Sequence, residues 1–146
     1  MKKGLQLASL GILAGLGLSV FFKIIEDTTD YKVYTLLLNV DYIPVFRDYT
    51  YSEPVEVLFH LIISILLVYG LYLLIQMRRV RRIIVVCVVI NILLGVLLYP
   101  TTALSARTPP IRSFPAMGYW LIGHFLYGLT LGILFQFVFR KDGMSS

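Results

Sequence analysis

The chain has 146 residues, of which 58% are apolar and 14% are charged, and its mean hydropathy is +0.84. A domain this small cannot bury so much hydrocarbon, which excludes a water-soluble globule, while the composition also excludes a disordered chain and a scaffold of disulfides. The net charge of +5 comes from short basic clusters between apolar runs, a pattern that indicates membrane topology and argues against a nucleic-acid partner.

Four apolar runs are long enough to cross about 30 Å of hydrocarbon as helices. They cover about residues 5–22, 55–76, 83–99 and 118–139. The third run is the shortest, because basic residues precede it and Pro100, which cannot continue a helix, follows it. The sequence therefore predicts an all-α integral membrane protein, with a single membrane domain built as an antiparallel bundle of four transmembrane helices.

The distribution of Lys and Arg predicts how these helices are oriented. If the helices alternate in direction, eight of these residues lie on the side of the two termini and five lie on the opposite side. Because basic residues favour the cytoplasmic side, we expect both termini in the cytoplasm, with the chain in a bacterial cytoplasmic membrane. The first span is followed by no small-x-small cleavage site, so we expect it to stay as a helix and not to be removed as a signal peptide.

The segment between the first and second spans, about residues 23–54, is amphipathic and aromatic. Its five tyrosines suit an outer loop that covers the helix ends or lies in the headgroup layer. Asp30 is a candidate N-cap for a short helix in this segment. On the opposite side, the short basic turn at residues 78–82 predicts that the second and third spans are an antiparallel pair of neighbours.

A short pattern occurs twice along the chain. Pro-x-x-Arg ends at Arg47, thirteen residues before His60, and again at Arg112, twelve residues before His124. Each histidine then begins an apolar run that ends in a basic pair. We interpret the two copies as a duplicated two-helix hairpin, with both copies in the same orientation. The alternative is chance, because the pattern is short.

Polar residues inside the spans predict a site in the outer half of the bundle. His60 and His124 lie five or six residues inside their spans, so both are expected at a similar depth. Glu56 and Ser64 share a helix face with His60, and Asn91 lies on a polar stripe of the third span. Ionisable groups in hydrocarbon are costly and need partners, so these five residues are the candidate polar site.

Three roles remain open for the two histidines. Their imidazoles could be structural, hydrogen-bonded to Glu56, Ser64 or a carbonyl group. They could instead carry protons or contact a substrate, with Glu56 adjusting the titration of the neighbouring ring. Two histidines without a third ligand are a weak signal for a metal, so ligation of haem b or a metal ion by His60 and His124 has the least support, and we expect no cofactor.

Two arginines outside the spans form a second candidate site. Arg47 and Arg112 each follow a proline-stiffened turn, where a guanidinium group could bind the phosphate of an anion or a lipid headgroup. The alternative is a salt bridge with a nearby acid, for which Asp41, Asp48 and Glu53 are the candidates.

Small residues at four-residue spacing predict close helix packing. Gly11, Gly15 and Ser19 form such a strip on the first span, and Gly128 and Gly132 form one on the fourth. Because lipid provides no hydrophobic drive between helices, they associate through close approach of their backbones. We expect one strip to pack the first helix on the fourth, and either strip could also support a homodimer.

The sequence contains no motif that requires catalysis: it lacks a glycine-rich phosphate loop, C-x-x-C, H-E-x-x-H and G-x-S-x-G. The favoured function is therefore a non-enzymatic accessory or interaction subunit, with the lipid bilayer and a membrane protein as its partners. One alternative is a transporter or channel-like protein with an outward-facing polar site at His60, Glu56 and His124. A second alternative is a protein that handles haem or an anionic lipid.

Overall fold

The computed structural model describes residues 2–46, 49–78 and 80–141, and these residues form an all-helical protein without strands. The helices are α1 (Lys2–Thr29), α2 (Val33–Leu38), α3 (Glu53–Arg78), α4 (Ile83–Leu98), a 3₁₀ helix (Tyr99–Leu104) and α5 (Phe114–Lys141). Four helical stretches are long and apolar enough to span a membrane: α1, α3, α5, and α4 together with the 3₁₀ helix. The predicted all-α chain with four such helices is confirmed.

The first helix is longer than predicted and ends differently. α1 continues to Thr29, where the Glu26 carboxylate accepts hydrogen bonds from the backbone N–H and the hydroxyl of Thr35, at 2.8 and 2.7 Å. Asp30 has a left-handed φ of 62°, and its N–H donates to the Glu26 carbonyl at 2.9 Å. The prediction that Asp30 caps the next helix is therefore wrong: it ends α1 in the left-handed conformation, which Asp tolerates better than most residues. α2 starts after Lys32 without a side-chain cap.

Two prolines account for the shapes of the later helices. Pro100 stops α4 at Leu98 and lies in the first turn of the 3₁₀ helix that continues it. Pro115 lies in the first turn of α5, where its fixed φ suits a helix start, so α5 begins at Phe114, four residues earlier than predicted.

The helices pack as two pairs joined in the middle. α1 packs on α3 and α4 packs on α5, while the contact of α1 with α5 joins the pairs in the spatial order α3, α1, α5, α4. The prediction that the second and third spans, α3 and α4, pack as neighbours is therefore wrong. They are consecutive in the chain, but α3 packs mainly on α1 and α4 packs mainly on α5. A gap remains between α3 and α4 toward the loop end, the end of the bundle formed by residues 30–46, 49–52 and 99–113.

The predicted glycine strips lie inside the two helix pairs. A Cβ at Gly11 would be 2.7 Å from Cα of Ile65, and one at Gly15 would be 2.9 Å from the Ser64 hydroxyl, so the first strip fits α1 to α3. Ser19, the third member, is buried, and its hydroxyl has no hydrogen-bond partner among the described residues.

The second strip fits α5 to α4. A Cβ at Gly128 would be 2.8 Å from the Cys87 carbonyl oxygen, and one at Gly132 would be 2.7 Å from Cα of Ile84. Contact between the first and fourth spans, α1 and α5, instead involves Gly123, which lies against the Phe22 ring. The expected use of a strip to pack the first helix on the fourth is thus replaced by close packing within each pair.

Candidate functional site

A cavity of about 520 Å³ lies between α3 and α4 in the half of the bundle nearest the loop end. α3, α4 and α5 form its walls over residues 59–67, 91–98 and 120–127, and Leu18 of α1 also contacts it. α2 and the residues after it cover the cavity at the loop end, over residues 36–46. The aliphatic and aromatic side chains of these segments give the cavity a mainly apolar lining.

The cavity is open at the side of the bundle. Two of its lining residues on α3, Ile63 and Leu66, are 60% and 61% exposed at the protein surface. Leu98 lines the opposite edge on α4 and is also exposed. Because these residues lie along the lengths of two helices, the opening faces sideways, through the gap between α3 and α4.

Four of the five predicted polar residues line this cavity together. They are His60 and Ser64 on α3, Asn91 on α4 and His124 on α5. The fifth, Glu56, is not among the lining residues. The two imidazoles therefore share one cavity, and a fully packed apolar core does not separate them.

On the α3 side, each polar group is bonded to the backbone of α1. The His60 ring donates from Nε2 to the carbonyl of Gly15 at 3.2 Å, and the Ser64 hydroxyl donates to the carbonyl of Gly11 at 2.6 Å. The hydroxyls of Ser64 and Tyr127 are also 2.6 Å apart. Because the one hydroxyl hydrogen of Ser64 is used by Gly11, Tyr127 donates in this bond. α1, α3 and α5 thus meet at one small polar cluster.

On the α5 side, the polar groups bond to backbone carbonyls of α4 and α5. His124 donates from Nδ1 to the Trp120 carbonyl at 2.9 Å, and the Trp120 indole donates from Nε1 to the Gly95 carbonyl at 2.9 Å. The rings of Trp120 and His124 have centroids 4.4 Å apart, and Phe22 stacks on Trp120 at 5.3 Å. Aromatic packing therefore holds the His124 ring in place.

The two helix pairs repeat one arrangement. In the first pair, Gly15 contacts His60, whereas in the second, a Cβ at Gly95 would be 3.0 Å from the His124 ring. In each pair a second contact follows one helical turn away: Gly11 with Ser64, and Asn91 with Gly128. Corresponding positions along the helices are thus paired in the same way.

Asn39, in the cover of the cavity, is a functional candidate that sequence reasoning missed. Its side chain is 2% exposed, its oxygen accepts from the Asp41 N–H at 3.4 Å, and its Nδ2 has no hydrogen-bond partner among the described residues. A buried amide without a partner is unfavourable unless another group supplies the bond. A single Asn in an aromatic loop gave no signal for this role, because its position over the cavity depends on how α2 folds back.

Glu56 belongs to a separate ionic cluster at the loop end. Its buried carboxylate accepts a hydrogen bond from Arg107 at 2.9 Å, and Asp41 lies 3.9 Å from the same guanidinium nitrogen. Ser105 donates to the other oxygen of Asp41 at 2.7 Å. The bond to Glu56 and the two negative charges raise the pKa of Arg107, so this arginine stays charged. The expected contact between Glu56 and His60 is replaced by this cluster.

Arg107 therefore pairs with a buried acid, although the sequence pattern singled out Arg47 and Arg112 instead. Arg112 is exposed and makes no ion pair with the described residues. Arg47 and Asp48 lie outside the described residues. A site for an anion or a lipid headgroup at Arg47 and Arg112 stays a prediction.

A second ionic contact ties the cover to the spanning helices. Lys23 of α1 and Glu53 of α3 form an ion pair at 2.7 Å, and the Tyr34 hydroxyl of α2 donates to the same carboxylate oxygen at 2.8 Å. The Lys23 ammonium also lies 4.7 Å from the centroid of the Tyr34 ring. Burial and the bond to the negative carboxylate raise the pKa of Tyr34, which keeps its proton and remains a donor.

Within the described part of the chain, no group of three His, Cys, Asp or Glu side chains could hold a metal ion. For haem, His124 has one ring nitrogen bonded to a carbonyl and leaves Nε2 for iron, but His60 uses its Nε2 on Gly15. The pair therefore lacks the matched arrangement that two axial ligands through Nε2 would need. Comparisons of the chain with protein families, curated proteins and solved structures return no match.

Proposed function

We propose that this protein is an integral membrane protein that binds one chain of a membrane lipid in the cavity between α3 and α4. The observation that carries the proposal is the sideways opening of an apolar cavity along two helices long enough to span a membrane. A ligand dissolved in the bilayer can enter such an opening without crossing water. The volume of about 520 Å³ lies within the usual range for ligand pockets.

The outer surface of the helices supports insertion into a bilayer. Large apolar side chains are exposed on every spanning helix, as for Leu13 on α1, Ile63 on α3, Leu97 on α4 and Phe137 on α5. Contiguous exposed apolar surface is rare on proteins in water and is normal where lipid is the solvent. The excess of Lys and Arg at the ends opposite the loop end supports cytoplasmic termini, with the cavity in the outer leaflet.

The repeated contacts support the proposed duplication. The pairs α1/α3 and α4/α5 correspond to the two predicted hairpins, and each joins a histidine to a glycine of its partner helix. Fusion of two such hairpins would bring both histidines to the same level of the bundle. In this proposal the cavity is the space where the second helix of one copy and the first helix of the other fail to pack.

The proposal is tested by closing the cavity with one larger side chain. Leu94 lines the cavity on α4, whereas its neighbour Leu93 is exposed and does not line it. Native mass spectrometry of the protein released from mild detergent should find one retained lipid in the original chain and in Leu93→Phe. Leu94→Phe should lose that lipid. Equal retention by the two variants, or no retained lipid in any form, would refute the proposal.

The predicted role as a non-enzymatic accessory subunit stays a prediction and is compatible with lipid binding. Its test is reproducible recovery of one membrane-protein partner from mild detergent. Transport stays a prediction as well, although Glu56 is bonded to Arg107 and does not line the cavity with His60 and His124. Replacement of both histidines by Phe should then lower flux into proteoliposomes, and unchanged flux would exclude their role.

A further inference from the structure

We infer that the ligand of this cavity is a neutral, single-chain lipid with a free hydroxyl group, which donates a hydrogen bond to His60 and accepts one from Asn39. This inference rests on the proposed lipid-binding function and adds the chemistry of the ligand head. It follows from which polar atoms around the cavity already have partners and which do not.

Two ring nitrogens at the cavity need a donor. His60 uses its N–H on the Gly15 carbonyl, and His124 uses its N–H on the Trp120 carbonyl. A neutral imidazole with one N–H so engaged offers a lone pair at its other nitrogen. Neither of these second nitrogens, Nδ1 of His60 and Nε2 of His124, has a hydrogen-bond partner among the described residues. A group that can only accept hydrogen bonds, such as an ether, an ester or a ketone, cannot pair with them.

Of the four hydroxyls that line the same space, three donate within the protein, and the fourth, on Tyr42, donates to neither imidazole. Ser64 donates to the Gly11 carbonyl, Tyr127 donates to Ser64, and Thr101 donates to the Leu98 carbonyl. None of these four hydroxyls is therefore bonded to the free ring nitrogen of either imidazole. A ligand or water can supply the missing donor, and the apolar walls favour a ligand with a hydrocarbon chain.

Asn39 supplies the complementary observation. Asn39 is one of the residues that line the cover of the cavity, and its buried Nδ2 is a donor without a partner among the described residues. A hydroxyl group can donate to an imidazole and accept from an amide at the same time. A single hydroxyl can thus donate to the His60 ring and accept from the Asn39 amide.

The walls argue against a charged head. No Lys, Arg, Asp or Glu occurs among the described residues that line the cavity. A phosphate or a carboxylate there would lose its hydration without a countercharge, which is strongly unfavourable in an apolar site. The volume of about 520 Å³ lies in the lower half of the range for ligand pockets, which favours a ligand with one chain.

The inference is tested with a matched pair of probes: a dibrominated eighteen-carbon alcohol and its methyl ether. Bromine quenches tryptophan fluorescence at short range, and Trp120, the only tryptophan in the sequence, lines the cavity. Full-length protein in detergent, freed of lipid, is titrated with each probe. We expect the alcohol to reach half-maximal quenching at a concentration about ten-fold lower than the ether, the factor that corresponds to one hydrogen bond of about 1.4 kcal/mol.

Variants connect this preference to the named groups. His60→Phe and Asn39→Leu should each reduce the ratio of ether to alcohol half-saturation concentrations toward one while leaving the ether curve nearly unchanged. Ser9→Ala is the matched control, because Ser9 is a polar residue of α1 that bonds within its own helix and does not line the cavity. It should keep the ten-fold ratio. Two independent variants guard against one that fails to fold.

The possible results separate the two proposals. Equal quenching by alcohol and ether would overturn the hydroxyl inference and leave lipid binding in place. No saturable quenching by either probe would overturn both. A ten-fold preference that persists in both His60→Phe and Asn39→Leu would overturn the assignment of the hydroxyl to these residues.

Discussion

The contact between Arg107 and Glu56 gives the sharpest prediction, because its two partners differ in burial. The Glu56 side chain is 7% exposed, whereas that of Arg107 is 49% exposed. Arg107→Gln leaves a buried carboxylate without its countercharge. Glu56→Gln leaves a cation that water already reaches and that still has Asp41 at 3.9 Å. The two single variants should therefore differ in stability, although they remove the same ion pair.

The size of the difference follows from distance and exposure. At 2.9 Å and an effective dielectric constant of about 20, the gross attraction is about 6 kcal/mol. Water at the exposed arginine offsets much of it: loss of one partner costs about 3–5 kcal/mol for a fully buried pair and about 0–1 kcal/mol for an exposed pair. We expect the free energy of unfolding to fall by about 2 kcal/mol in Arg107→Gln and by about 0–1 kcal/mol in Glu56→Gln.

The assay is unfolding in mixed micelles by added dodecyl sulfate, followed by the fluorescence of Trp120. The double variant Arg107→Gln/Glu56→Gln should be about as stable as Glu56→Gln alone, because it removes the unpaired carboxylate. Arg112→Gln is the control, since Arg112 is exposed and makes no ion pair with the described residues. If Glu56→Gln were as destabilising as Arg107→Gln, or if the double variant were the least stable, the asymmetric burial argument would be refuted.

Three further predictions concern the helix contacts. Gly128→Ala should lower the free energy of unfolding by about 1–3 kcal/mol, because the new Cβ would lie 2.8 Å from the Cys87 carbonyl oxygen. Gly70→Ala is the control: a Cβ at Gly70 meets open space, so this variant should be as stable as the original chain in the same titration. Tyr127→Phe should lower stability by about 0.6–1.7 kcal/mol through loss of its bond to Ser64; no change would show that this bond contributes nothing in the folded protein. The buried Cys87 thiol should react with N-ethylmaleimide only after unfolding, and rapid labelling of the folded protein, followed by mass spectrometry, would contradict its burial.

The course of the spanning helices could be predicted closely from the sequence, and their pairing could not. Apolar runs and the positions of Pro100 and the basic clusters bound each span to within a few residues, except where α1 continues to Thr29 through its contact with α2. The sequence did not predict which helices are neighbours. Gly11 and Gly128 predicted close packing, but four-residue spacing gives a face of a helix and says nothing of which helix meets that face.

The sequence predicted only part of the candidate site, because it shows which residues are polar but not which segments meet them. His60, Ser64, Asn91 and His124 stand out because polar groups in apolar runs are rare, and they do line one cavity. Glu56 shares a helix face with His60, but its partner comes from a loop 51 residues later in the chain, a contact without a local pattern. The roles of Arg107 and Asn39 depend on loop segments folding back over the helix ends, which hydropathy does not describe.

The sequence alone determined the element type of this protein, because its four apolar runs are long enough to cross hydrocarbon, where every backbone group of a run must be satisfied inside its own helix. Only the tertiary structure decided that α3 and α4 stay apart and leave a cavity with a side opening. That outcome depends on which glycine surfaces fit most closely, and the close contacts of α1 with α3 and of α4 with α5 direct the helices into two pairs. Because the glycine surfaces hold each pair together, a space remains between the pairs, and the two imidazoles line it.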